Sequence, residues 1–301
     1  MAEGEGAPVT EDRLLGGAVT LLQPATGHRA GTDAVLLAQL APLRPDDRVA
    51  DLGSGTGAVG LILARRAPGA SVTLVEREPS LVALARRNIA ANGLAERVAA
   101  VAADLFTPAR ERAQSGLAPG SVDLAVTNPP FFEAAGAPAS PDPGRRSAHV
   151  HAGGGLPEWL HAAGDLLAPR GRLALIHRAD ALALCLDALR RRFGSVAIRP
   201  VHPSAGKPAS RILLSAVKGG RAPLALLPPL VLHAAGRFTR EAEVLHGAPR
   251  SVSGDDARRL DERFARGNEA AFLSFLGRDG GAPPRSGDEL PDGYRRLAKG
   301  R

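Results

Sequence analysis

Four groups of residues in this 301-residue chain have the types and spacing to do chemistry. Asp51-Leu-Gly53-Ser-Gly55-Thr-Gly57 is a run of alternating glycines headed by a carboxylate. Glycines at that spacing let a backbone turn tightly and come close to a ligand. Glu76 follows about 20 residues after the last of them, where an acid can bind ribose hydroxyls. Asp104 is a second acid further on, placed to meet an amine. The fourth group is Thr127-Asn128-Pro129-Pro130-Phe131.

The glycine run has two readings. From Gly55 to Gly60 it is literally G-x-G-x-x-G, the fingerprint of a dinucleotide-binding turn. A nicotinamide-dependent dehydrogenase therefore stays open on this motif alone. Asp51 argues for a different nucleoside, because a carboxylate ahead of the first glycine repels a pyrophosphate and suits an ammonium. With Glu76 for a ribose and Asp104 for an adenine amine, the three acids fit S-adenosylmethionine. Glu76 and Asp104 each also have a plainer reading as a solvated carboxylate at a strand end.

Asn128 to Phe131 suit a planar exocyclic nitrogen. The lone pair of such an amine is delocalised into its ring, so the amine is a poor nucleophile. Two acceptors gripping its N–H groups can localise that pair without a strong base or a metal. The Asn128 side-chain oxygen and a backbone carbonyl of Pro129 or Pro130 supply them. The two prolines stiffen the loop and pre-place the acceptors. Phe131 can stack on a base drawn out of its helix.

These groups need strand ends to hold them, and the sequence supplies an alternation of strands and helices. Expected strands are Arg48–Leu52, Ser71–Glu76, 98–104, Val122–Thr127 and 172–177. Helices are expected to about Arg66, over about 79–92 with a stop at Asn92-Gly93, over 156–167 and over 179–193. Pro169 to Gly171 reads as a turn. That alternation makes a parallel sheet covered on both faces, a Rossmann-like, doubly wound α/β fold. Strands expected over 195–201 and 211–217 break the pattern. Only nine residues separate them, too few for a right-handed helical crossover, so the pair is expected to be an antiparallel terminal hairpin. Residues 1–12, rich in Gly and Glu, read as disordered. Residues 13–248 form the catalytic domain, and 249–301 a loosely attached tail with room for one helix capped by Ser253.

The order of these motifs resembles a class I S-adenosylmethionine-dependent methyltransferase. More narrowly, residues from about Leu14 to Ala248 are similar to the bacterial tRNA1(Val) (adenine-N6)-methyltransferase family, which acts beside the anticodon of a valine tRNA. The stretch from Leu14 to Gly17, through Gln23-Pro24, to His28 and Leu37 resembles that family's entry segment. The resemblance implies that this segment closes over the methionine part of the cofactor, with Thr32 and Asp33 as candidates. Asp33 has an equal reading as the cap of the following helix. The resemblance further implies Asp51, Gly53, Gly55, Gly57, Glu76 and Asp104 on the cofactor, and Asn128, Pro129, Pro130 and Phe131 on the target base. Phe131 stands where protein-glutamine methyltransferases of similar design usually carry Tyr, which favours a nucleic-acid base.

The composition excludes other classes. One cysteine, Cys185, leaves no intramolecular disulfide and no multi-cysteine metal site. No apolar run reaches the roughly 18 residues of a membrane span, and the N-terminus lacks the order of a signal peptide, so a cytoplasmic enzyme is expected. The formal charge is +7, but its basic residues are nearly all Arg, which codon bias of a GC-rich genome explains as well as a nucleic-acid partner does. Arg145 and Arg146, in a long loop after the catalytic motif, and Lys207 and Arg211, flanking the hairpin turn, are the candidate RNA contacts. The six histidines outside that loop lack metal-ligand spacing, and Trp159 and Cys185 read as core. Rival acceptors are ribosomal RNA, DNA and protein glutamine. Oligomeric state is not legible.

Overall fold

Continuous buried runs, rather than alternating ones, mark the strands that carry the site. Leu124 to Thr127 are all buried, as are Val49 to Leu52, the pattern of strands covered on both faces. The computed structural model of the chain describes residues 8–27, 29–130 and 154–248.

The strands are β1 (Val9–Leu14), β2 (Val19–Pro24), β3 (Arg48–Leu52), β4 (Ser71–Glu76), β5 (Val98–Ala102), β6 (Val122–Thr127), β7 (Leu167–Arg178), β8 (Phe193–Ser204), β9 (Arg211–Lys218), β10 (Ala225–Leu226), β11 (Leu230–Ala234) and β12 (Arg237–Phe238). The α-helices are α1 (Thr32–Leu40), α2 (Ala58–Arg66), α3 (Pro79–Ala91), α4 (Ala109–Gln114), α5 (Leu156–Leu166), α6 (Leu182–Leu189) and α7 (Arg240–Leu245).

Ten strands form one sheet in the order β12-β11-β8-β9-β7-β6-β3-β4-β5, with β10 pairing β8 off this path. β3, β4, β5, β6 and β7 are mutually parallel where they pair. β9 is antiparallel to both β7 and β8. The terminal antiparallel pair expected from its short connection is therefore present, and it lies inside the sheet rather than at its edge. From β3 the chain moves outward to β4 and β5, then returns to β6 on the other side of β3. That reversal opens a crevice at the C-terminal ends of β3 and β6, the place where ligands bind in open α/β sheets.

Alternate residues of one strand feed two cores. Val49, Leu124, Val126 and Ile176 pack with α1, α2 and α3 on one face. Ala50, Leu52, Ala125 and Leu175 pack with α5 and α6 on the other. At the opposite edge from the crevice, Arg172 is buried against Asp47 at 2.5 Å and also donates to Pro42 O. Cys185 is fully buried in the second core, and burial pushes its thiol up to about 11. Among the described residues no helix is long and apolar enough to cross a membrane.

The structure corrects several boundaries. Val9 to Asp12, expected to be disordered, pair with β2 in a two-stranded antiparallel sheet. Pro169 to Gly171 do not separate helix from strand. They bulge within β7, where the register moves from Val122 opposite Leu167 to Leu124 opposite Arg172. The helix expected over 179–193 is a 3-10 turn (Ala179–Ala181) followed by α6, because Phe193 is taken by the ladder opposite Lys218. β5 ends at Ala102, so Asp104 lies in the loop beyond it. The tail 249–301 lies outside the described residues, as does Ser253.

Candidate active site

Register brings the four groups to one edge. Leu52 stands opposite both Val75 and Thr127, and Glu76 opposite Ala102. The next residues along the chain, Gly53 and Asn128, therefore leave adjacent strands side by side, with Glu76 ending the strand on the far side of Gly53.

The glycine run is held from behind. Gly53 and Ser54 donate their N–H groups to Val75 O at 2.9 and 3.0 Å. Gly53, Gly55 and Gly57 have φ of 69°, 55° and 93°, a region costly for any residue with a Cβ. A Cβ on Gly53 would meet Trp159 at 3.0 Å, and one on Gly57 would meet Leu74 at 2.7 Å. A Cβ on Gly55 would meet nothing within 4 Å. The loop is thus packed against protein on one side and open at Gly55.

Each acid has a defined task. Asp51 is 1% exposed, and its Oδ2 accepts from Gly60 N at 2.9 Å. Burial pushes its carboxyl up to about 7, against the Gly60 hydrogen bond, which lowers it; the Glu76 charge raises it further. Asp51 therefore ties the end of β3 to the first turn of α2. Glu76 is half-buried. One oxygen accepts from Gly55 N at 2.9 Å, the other from the N–H groups of Arg77 and Glu78 at 2.8 and 3.0 Å. Asp104 Oδ1 accepts from Phe106 N at 2.9 Å, which shapes the loop after β5.

Thr127 hands its strand to the Asn128 motif. Its hydroxyl donates to Leu52 O at 2.8 Å and accepts from Trp159 Nε1 at 3.0 Å. Asn128 is half-buried and Pro129 buried. Phe131, Arg145 and Arg146 lie outside the described residues.

The methyltransferase small domain family model matches residues 29–140, a span from just before α1 to past the Asn-Pro-Pro motif. A tRNA1(Val) (adenine(37)-N6)-methyltransferase of Porphyromonas gingivalis is 35% identical over 196 residues, 64% of this chain and 75% of that protein. One of Aeromonas hydrophila is 37% identical over 195 residues, 64% of this chain and 77% of that protein. The chain belongs to the tRNA1(Val) (adenine(37)-N6)-methyltransferase family. Its fold is that of a class I S-adenosylmethionine-dependent methyltransferase. The crystal structure of a predicted O-methyltransferase from Agrobacterium tumefaciens superposes with a TM-score of 0.60 at 32% identity, covering 73% of this chain and all of that one.

Family membership makes the chain an enzyme whose methyl donor is S-adenosylmethionine, and the crevice suits that molecule. The loop is open at Gly55 while its other glycines are filled from behind. Glu76 and Asp104 are both half-buried, with carboxylates at the same edge.

The family's entry segment is wired to this loop by residues that sequence reasoning missed. Asn88 on α3 and Asn92 at its C-cap, four residues apart, face β2. Asn88 Oδ1 accepts from Leu22 N at 2.7 Å, and its Nδ2 donates to Leu22 O at 3.0 Å and Thr56 O at 2.9 Å. Asn92 pairs the N–H and carbonyl of Thr20 in the same way. Two side-chain amides thus act as one strand of a ladder, and Asn88 extends it to the glycine run. The available signal was two amides at i and i+4, one inside the helix, where Asn is otherwise unfavourable, and one at its C-cap. Buried Gln23 continues the chain of contacts, accepting from Ala30 N at 2.7 Å.

α1 starts after Gly31, so Thr32 is its first residue and Asp33 lies in the first turn rather than at the cap. Asp33 Oδ2 accepts from Arg211 Nε at 2.9 Å. One cofactor candidate and one RNA candidate are therefore an ion pair. Lys207 is exposed on the turn between β8 and β9, with its carbonyl accepting from His202 Nδ1 at 2.7 Å.

Proposed function

We propose that the protein transfers the methyl group of S-adenosylmethionine to N6 of an adenine beside the anticodon of a valine tRNA. The observation that carries this reading is the register of Leu52 with Thr127. It starts the Asn128 motif next to the glycine run, so an amine gripped by Asn128 sits beside whatever the glycines hold.

When bound, S-adenosylmethionine supplies an electrophilic methyl on a sulfonium. The chain's own residues do the rest. Gly53 to Gly57 and Glu76 shape the pocket for the nucleoside, Asp104 meets the adenine amine, and the segment with Thr32 and Asp33 covers the remaining end. Asp51 holds the loop in place from beneath. Asn128 Oδ1 and a carbonyl of Pro129 or Pro130 accept the two N–H groups of the target amine and leave its lone pair aimed across the crevice. Phe131 stacks on the flipped base. The new N–C bond forms as the C–S bond breaks, and the nitrogen then loses one proton to solvent. Most of the catalytic gain comes from orientation and pre-placed acceptors.

Lys207 and Arg211, with Arg145 and Arg146, are proposed to take the phosphates of the strand that delivers the base. The test is incubation of the purified protein with tritiated S-adenosylmethionine and unmodified tRNA, ribosomal RNA, DNA or release-factor-like protein. N6-methyladenosine in tRNA is the expected product. Label in ribosomal RNA or glutamine with none in tRNA would overturn the substrate assignment.

A further inference from the structure

Three segments of the site converge on one side chain of α5. Trp159 is 6% exposed. Its Nε1 donates to Thr127 Oγ1 at 3.0 Å, and that hydroxyl donates to Leu52 O at 2.8 Å. Thr127 precedes Asn128, and Leu52 precedes Gly53. The six-membered part of the indole fills the space behind Gly53, where Cη2 and Cζ2 would each lie 3.0 Å from an added Cβ. Phe106 meets the same ring edge-on, with centroids 5.9 Å apart and planes at 66°. The Phe106 N–H in turn holds the Asp104 carboxylate.

We propose that Trp159 is a positioning residue that fixes the spacing between the cofactor loop and the Asn128 motif. The proposal rests on the methyl-transfer reading above. Gly53, Asp104 and Asn128 follow three different strands, and each loop has its own freedom. One rigid bicyclic plane touches or closes on all three, and its single N–H sets the Thr127 hydroxyl, which then has one orientation in which to donate. An apolar ring in the same place fills the volume but leaves the hydroxyl held only by its bond to Leu52 O. The spacing between donor and acceptor governs turnover far more steeply than it governs either binding step, with about 100-fold lost for a 1 Å error. Core packing alone predicts a different pattern, a loss of stability with turnover per folded molecule unchanged.

Trp159→Phe, Thr127→Val and the double variant test this in the tRNA methylation assay at saturating cofactor and RNA. Trp159→Phe should lower kcat about tenfold or more, while Kd for S-adenosylmethionine changes less than about threefold. Thr127→Val, which also removes the bond to Leu52 O, should lower kcat at least as much, and the double variant should be no worse than Thr127→Val alone, because the hydrogen bond lost in Trp159→Phe is already lost there. Wild-type kcat in Trp159→Phe, or multiplying losses in the double variant, would overturn the positioning role. Thr127→Val keeps the indole, so the test survives if Trp159→Phe does not fold. Trp159 is the chain's only tryptophan. Its emission should therefore change on titration with S-adenosylmethionine, and constant emission under saturating binding would count against the contact with the loop. The wild-type protein separates the two claims: no transfer by it overturns the proposed reaction, whereas full transfer by both it and Trp159→Phe overturns the positioning role alone.

Discussion

Arg211 Nε lies 2.9 Å from Asp33 Oδ2, joining positions 178 residues apart. The pair links the hairpin turn, where RNA phosphates are proposed to pass, to the first turn of α1, which is proposed to cover the cofactor. Both side chains are about 30% exposed, so the pair is partly open to solvent rather than buried.

This contact separates the roles of two cations that the sequence placed together. Lys207→Ala should weaken RNA binding and lower its salt slope by roughly 0.7, the value of one phosphate contact on a single strand, with cofactor affinity unchanged. Arg211→Ala should weaken both RNA and cofactor binding, because it also frees Asp33. Titrations of each ligand over a range of salt check the difference. Equal behaviour of the two variants would show that the ion pair does not couple the ligands.

Asn128→Ala should separate binding from chemistry. Removing one pre-placed acceptor is expected to cost about 100- to 1000-fold in turnover, by analogy with oxyanion-hole donors. Calorimetry should show unchanged affinity for S-adenosylmethionine, and Glu76→Ala should show the reverse emphasis, a weaker cofactor complex. Near-normal turnover of Asn128→Ala would remove it from the site.

The shared edge of the glycine run, Glu76 and Asn128 was legible in the sequence because strand ends are marked locally. Asp51 before Gly53, Glu76 after a buried run, and Asn128 before two prolines each announce where a strand stops. The antiparallel pair β8–β9 was legible from the shortness of its connection. The β1–β2 hairpin was not, because Glu11, Asp12 and Arg13 look like a solvated terminus. It gains its order from partners far along the chain, Asn88 and Asn92, and from Asp12 itself, which accepts from Arg29 and Gln23. Trp159 was legible as buried but not as a link between loops. Such pairings depend on which helix face meets which strand end, and one sequence does not carry that information.

The Asn88 amide gives a stability prediction. Asn88→Ala strands Leu22 N, Leu22 O and Thr56 O in the interior, and the cost should be about 3 kcal/mol. Denaturant unfolding measures it. Cofactor affinity should fall as well, because Thr56 belongs to the glycine run. A variant of wild-type stability would show that water replaces the amide without cost.

Asp51 makes stability depend on pH in a defined window. An unfolded aspartate titrates near 3.9, and the native group near about 7 because it is buried. Between those values the native chain holds more protons than the unfolded one, so this group's contribution falls as pH rises through the window and is flat on either side. Asp51→Asn keeps an oxygen for Gly60 N–H but does not titrate. Its unfolding free energy minus that of the wild type should grow from about pH 4 to about pH 7 and then level off. A flat difference across that range would contradict the buried, protonated carboxyl.

The central claim is tested most directly on the RNA itself. Valine tRNA is isolated from cells lacking the gene, and from the same cells supplied with the wild type or with Asn128→Ala, and its nucleosides are measured by mass spectrometry. N6-methyladenosine should be missing from the first, restored by the wild type and not restored by Asn128→Ala. Undiminished N6-methyladenosine in cells lacking the gene, or its full return with Asn128→Ala, would contradict the account.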